Sequence, residues 1–119
     1  MAITIKSLYK GQLGSSEGDL YGPGSGKAAI VKNIRLVNTG ASPVTVNLFV
    51  KRAAAASGAG GGFRIIPKDL SLAAGAAFTE DSETTLEFVS VSSIDFIRGY
   101  ASAATTVDCV VSGVERDVS

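Results

Sequence analysis

The stretch from Lys27 to Arg52, KAAIVKNIRLVNTGASPVTVNLFVKR, constrains this chain most: two segments of alternating apolar residues flank a compact Asn/Gly/Ser/Pro turn. In the second segment Val44, Val46, Leu48 and Val50 alternate with Thr45, Asn47, Phe49 and Lys51. Successive side chains of an extended backbone point to opposite faces, so this pattern makes a strand with one core face. With the turn between them, the two segments read as a β-hairpin. The first segment is less regular. Ile34 and Leu36 share one face, whereas Val31 and Val37 fall on the other in an unbroken period of two. Either this strand is covered on both faces, or a bulge near Lys32 and Asn33 resets its phase.

The rest of the chain repeats the theme of short strands and small-residue turns. Residues 3–13, ITIKSLYKGQL, read as a first strand with Gly11 and Gly14 as bends or bulges, and GSSEG at 14–18 as a turn. GPGSG at 22–26 is too dense in glycine to be anything but a loop. AAAASGAGGG at 53–62 has helix-forming alanines, but four residues cannot nucleate a stable helix, so a flexible Ala/Gly loop is expected. FRIIP at 63–67 follows it, then LSLAAGAAF at 70–78 as two half-strands about Gly75, and EDSE at 80–83 as a charged turn. TLEFVSV at 85–91, DFIRGYAS at 95–102 and TVDCVVSGVER at 106–116 complete the set, with ERDVS as a short polar C-terminal tail. About eight or nine strands with turns every 8–12 residues or so predict an all-β, antiparallel fold in a single domain, a β-sandwich or jelly roll.

A chain of 119 residues buries roughly two-thirds of its unfolded surface, enough for a core without metal or disulfide staples. The single cysteine, Cys109, rules out an intrachain disulfide, and its apolar neighbours predict a buried, inert thiol. Lysine plus arginine balances aspartate plus glutamate at 11 each, and the cations form no run that could track a phosphate backbone. Nucleic-acid binding is therefore not expected. A neutral surface offers little repulsion between copies, which favours self-association. No stretch approaches the roughly 20 apolar residues of a membrane span or the apolar core of a signal peptide, so a membrane is not an expected partner and folding in a cytoplasm is expected.

Histidine is absent, which removes the usual base for a serine or cysteine nucleophile and the commonest transition-metal ligand. The one acidic cluster, Glu80, Asp81 and Glu83, has the residue types of a glycosidase pair or a hard-cation site, but it lacks the spacing and central glycine of a calcium loop. A solvated turn is the expected role. GPGSGKA at 22–28 resembles a phosphate-cradling loop only superficially: the first glycine is one residue too close to Lys27, and Ala28 stands where a metal-binding hydroxyl is required. Tyr9, Tyr21, Phe63 and Tyr100 are too scattered for a stacking platform and suit core or interface packing. No catalytic residue, cofactor site or metal site is expected, and the chain reads as a non-enzyme.

LYKGQLGSSEGDLYGPGSGKAAIVKNIRLVNTGASPVTVNLFV, followed by DFIRGYASAATTVDCVVSGVE, resembles small structural proteins encoded by tailed bacteriophages. The shared pattern is a Leu-Tyr strand, a Pro/Gly turn, a Val-Lys-Asn-Ile-x-Leu-x-Asn strand, a hairpin and a closing x-Ala-Ser-Ala…Val-Ser-Gly-Val-Glu segment. It runs over residues 8–115, and the chain departs from it at AAAASGAGGG and EDSE. The resemblance implies a β-sandwich virion component: a capsid decoration or cement protein that binds the major capsid protein, or a small tail, neck or fibre-associated protein. Homo-oligomerisation, a trimer being one form, goes with that reading, as does residence in the virion after synthesis in the host cytoplasm. A receptor- or carbohydrate-binding module at a tail or fibre tip is the competing reading. Expected partner contacts are Ile3 and Ile5 on the first strand, Arg52, Phe63 and Arg64 flanking the Ala/Gly loop, and Arg116 near the C-terminus. The loop at 53–62 is either an idle spacer or an arm ordered against a neighbouring subunit.

Overall fold

Strands form wherever the apolar period of two runs on, and glycine, serine and proline interrupt them. The computed structural model describes residues 3–52, 62–90 and 93–117, which form ten strands and no helix. They are β1 (Ile3–Gln12), β2 (Gly18–Tyr21), β3 (Lys27–Asn38), β4 (Val44–Arg52), β5 (Gly62–Arg64), β6 (Leu70–Leu72), β7 (Ala77–Glu80), β8 (Thr84–Ser90), β9 (Ser93–Ala101) and β10 (Val107–Asp117). The two half-strands expected about Gly75 are β6 and β7, parted by a turn in which the Gly75 φ of 76° suits glycine.

Every pairing is antiparallel, and the pairs are nested. β1 lies against β10, β2 against β9, β3 against β7 and β8, and β4 against β5 and β6. The chain is thus a long double ribbon, its first half laid against its second. The ribbon is then rolled, so that β10 also pairs with β3 and β9 with β4. One layer reads β1-β10-β3 with β7 and β8 at its margin, and the other β2-β9-β4 with β5 and β6. The β8–β9 pairing joins the layers into one continuous hydrogen-bonded path. This strand order is that of a jelly roll. Leu36, Cys109 and Val111 from the first layer meet Leu48, Ile97 and Ala101 from the second in one fully buried core.

The expected hairpin at 27–52 is not formed. β3 has β10 on one edge and β7 and β8 on the other, which leaves no edge for β4, and β4 pairs with β9 in the opposite layer. Alternation gives each strand its faces but not its neighbour. The connection after Asn38 therefore crosses between layers instead of turning within one. It is held by Asn38, whose buried side-chain Nδ2 donates to Ser42 O at 2.9 Å and Leu72 O at 3.1 Å, while Oδ1 accepts from Gly40 N at 2.9 Å. Its backbone bonds the second crossing as well, with Asn38 N donating to Ala76 O at 2.9 Å and Gly75 N to Asn38 O at 2.8 Å. One residue thus ties the β3–β4 crossing to the β6–β7 crossing.

The phase anomaly in β3 resolves as a bulge. Ser112 stands opposite Asn33 and Gly113 opposite Val31, so Lys32 has no partner on β10. Ala29 and Val31 face the core before it, and Ile34, Leu36 and Asn38 after it. Exposed Lys32 pairs with Glu83. Gly113 opposite the bulge admits no side chain: a Cβ there would lie 2.2 Å from Ile30 O and 3.1 Å from Leu8 Cδ1. In β1 the bulge falls between Ser7 and Tyr9, not at Gly11, which is paired with Cys109. It turns Leu8 into the core.

The Ala/Gly segment at 53–61 lies outside the described residues, and Gly62 already belongs to β5. The expected polar tail is strand as far as Asp117: Glu115, Arg116 and Asp117 are in register with Ala29, Ala28 and Lys27. Lys27 Nζ meets Asp117 Oδ1 at 2.7 Å. Polarity alone hid this strand end, because its partners on β3 and β1 were not visible in the pattern.

Asn38→Asp keeps the shape of the side chain but replaces its donor with a charge facing carbonyl oxygens. It is expected to lower stability by about 2–4 kcal/mol, read as a reduced midpoint in urea unfolding at neutral pH. Gly113→Ala, which in an open strand would be neutral or favourable, is expected to cost about 2 kcal/mol in the same assay because backbone must move to admit it.

Candidate interaction surface

The two ends of the sandwich differ. At one end Leu13, Val44, Ile66, Leu72 and Val107 are all buried and close the core. At the other, β1, β3, β5 and β9 begin and β4 and β10 end, as the register Ile3–Arg116–Ala28–Glu87 in one layer and Arg52–Asp95 in the other shows. Apolar cover thins there: Tyr21, Val50, Phe88, Ile94 and Phe96 are only half-buried. Ile5 is 87% exposed and Phe63 79%, the two large apolar side chains of the described residues that solvent reaches most.

Ile5 is not isolated. It stands opposite Val114, which stands opposite Ile30, and all three lie on the face of the layer turned away from the core. This row makes an apolar strip across three neighbouring strands, the cross-strand arrangement by which sheets gain stability when covered. Val114 and Ile30 were not among the expected contacts, although both are apolar residues on the off-core phase of their strands. Arg116 is exposed and lies opposite Ile3. The side chains of Ile3 and Arg52 lie outside the described residues. The structure thus places Ile3, Ile5 and Arg116 together on β1 and β10, and Phe63 and Arg64 on β5 at the margin of the other layer.

Arg64 is turned back on its own chain. Its Nη1 donates to Asn47 Oδ1 at 2.6 Å and its guanidinium lies 5.9 Å from the ring centre of Phe49. Lys51 Nζ covers the same ring at 5.7 Å. These cations explain how Phe49, on the outer phase of β4, is buried although its strand has a separate core face. Asn47, also on the outer phase, is buried by the β5–β6 connection: its Nδ2 donates to Asp69 Oδ1 at 2.9 Å, and Asp69 N donates to its Oδ1 at 3.0 Å. Glu17 meets Lys51 Nζ at 3.1 Å and Arg98 Nη1 at 2.9 Å. Arg98 Nε lies 2.7 Å from Asp19 Oδ1, an ion pair by distance without the alignment of a hydrogen bond. The charges of this face largely answer one another.

The remaining candidates for chemistry are spoken for in similar ways. Glu83 is paired with Lys32, and Glu80 accepts from Ser82 N at 3.2 Å. Among the described residues no group of three or more Asp, Glu, Cys or His stands within reach of a common metal ion. The glycine-rich turn before Lys27 feeds a strand, so no helix N-terminus faces it. A half-open cleft of about 240 Å³ lies between Lys27, Ala28, Glu87 and Phe88, with Lys27 engaged by Asp117. Tyr21 Oη donates to Glu115, and burial first, then this bond and the carboxylate charge, push its pKa well above the ordinary tyrosine value. Burial pushes the Cys109 thiol up to about 12.

Neither a protein-family model nor a curated protein matches the chain. Among solved structures it is similar to a chain in the structure of infectious bursal disease virus Gx strain, at a TM-score of 0.49 and 11% identity, covering 96% of this chain and 32% of that one. This chain therefore spans about a third of that viral chain. It is also similar to a chain from Bacillus endospore appendages, described as a family of disulfide-linked pili, at a TM-score of 0.46 and 16% identity, covering 98% of this chain and 89% of that one.

Cys109 should remain unmodified by a thiol reagent in the native protein at pH 8 and react fully once the chain is unfolded in guanidinium. Its raised pKa favours the protonated native state, so its contribution to stability is complete below its ordinary value of 9.0 and is lost as pH climbs toward 12. Denaturation midpoints measured across pH 8–11 or so should fall accordingly, and a Cys109→Ala variant should fall less steeply.

Proposed function

We propose that this chain is a non-enzymatic structural protein of a tailed-bacteriophage virion, a capsid decoration or cement protein that binds the major capsid protein and stabilises the shell. The observation that carries this reading is the unequal sandwich. One end is sealed by buried aliphatic side chains, while the other presents Ile5, 87% exposed on the open edge of a ten-residue strand, and Phe63, 79% exposed on β5 at the margin of the other layer. Apolar side chains held on rigid strands gain roughly 25 cal/mol for each Å² a partner covers. A modest contact repeated over a symmetric shell then adds up, since each bound copy restrains the shell units it bridges. The same reading accounts for the absence of histidine, the buried thiol and the mutual pairing of the outer-face charges, none of which suits a catalytic centre.

Purified protein mixed with phage shells stripped of their minor proteins should co-sediment to saturation and raise the temperature at which the shells break open. Phe63→Ser should weaken that binding by about tenfold or more, the loss typical of an exposed aromatic anchor, without altering the unfolding midpoint of the free protein. No binding to shells overturns the decoration reading. Binding to host-surface glycans instead would move the protein to the tail or fibre.

A further inference from the structure

We propose that β1 is the surface through which two copies of this chain join, antiparallel, about a two-fold axis that passes Ile5. Apart from β8, whose seven residues are divided between pairing with β3 and pairing with β9, the other margins of the two layers are short: β2 and β7 have four residues each, β5 and β6 three. Short margins are how sheet proteins deny their unpaired backbone groups to other chains. β1 has ten residues, pairs with β10 on one side, and among the described residues has no strand on the other. The bulge between Ser7 and Tyr9 divides it, leaving Ile3–Ser7 as the regular stretch.

The lysines and the bulge narrow the register. Antiparallel pairing of one strand with its own copy, about an axis normal to the sheet, sets residues of equal phase opposite each other. Centred on Ile5, it places Ile5 opposite Ile5 of the second copy, Thr4 opposite Lys6 and Ile3 opposite Ser7, and ends before the bulge. Centring on Lys6 sets lysine against lysine, and centring on Leu8 sets Lys6 against Lys10. Like charges directly opposite are unfavourable, so these alternatives are penalised. In the favoured register the rows Ile5–Val114–Ile30 of the two copies meet end to end across the axis. The exposed isoleucine is then covered by its own symmetry mate, and the zero net charge opposes the approach of copies only weakly.

Such a pair is a building block of the proposed assembly, but it does not depend on the partner being a capsid. A trimer would require a different surface, because antiparallel pairing of identical edges closes as a dimer. Sedimentation of the full chain should show a reversible dimer. Ile5→Lys, at a site so exposed that folding is scarcely affected, should weaken dimerisation at least tenfold with an unchanged circular dichroism spectrum. Ile5→Cys should yield a covalent dimer rapidly under diamide, since Cα atoms opposite each other lie about 4.5–5.5 Å apart, within disulfide range. Ser15→Cys, exposed in the turn after β1, should not. Buried Cys109 will not compete. A chain that stays monomeric up to about 1 mM, or Ile5→Cys crosslinking no faster than Ser15→Cys, overturns the proposal. An oligomer untouched by Ile5→Lys overturns it too, while leaving the assembly reading standing.

Discussion

The arrangement of this protein depends on a single buried amide. Asn38 ends β3, and its side chain bonds backbone on two of the chain segments that pass from one layer to the other. Nothing apolar could take its place, because the carbonyls it satisfies belong to connections that leave their ladders to change layer and lose strand partners in doing so. A buried donor lost there leaves acceptors unpaired in a dry setting, where each costs more than an ordinary hydrogen bond contributes. The layers can therefore lie at the spacing their aliphatic side chains demand only while this amide is in place. Asn47 repeats the device on the outer face, where it fastens the β5–β6 connection through Asp69 and Arg64.

What the amino-acid pattern reveals is the orientation of each strand, and what it conceals is the company each strand keeps. The core face of β4 and the phase break at Lys32 follow from side-chain alternation, a property of neighbours along the chain. The partner of β4 does not, since β9 lies some fifty residues away and alternates just as β3 does. A compact turn between two alternating segments ordinarily means a hairpin, and here the turn crosses layers because β10 and the β7–β8 pair already occupy both edges of β3. Asn38 sits in the apolar phase of its strand, the one sign in the sequence that a polar group would be buried there.

The candidate surface was half legible for the same reason. Ile5 and Phe63 are apolar residues in polar surroundings close to a chain end or a glycine-rich segment, and both prove exposed. Arg64 belongs by sequence with Phe63, yet folds back over Phe49, because a cation beside an outward-facing aromatic ring gains more by covering it than by remaining in water. Val114 and Ile30 join Ile5 only through cross-strand register, which no local pattern encodes.

The nested pairing governs when this chain can fold as well as what it becomes. β10 supplies the neighbour of β1 on one side and of β3 on the other, so the layer carrying the first strand has no interior until the segment 107–117 has been made. Contacts that close such long loops come late, after their entropy has been met by nearer ones. On the ribosome, β1 must wait through nearly the whole synthesis of the sequence before its partner emerges. An edge that would pair with any available strand is thereby completed on one side only when the rest of the molecule stands ready, which sets cooperative closure of the roll ahead of any meeting between copies.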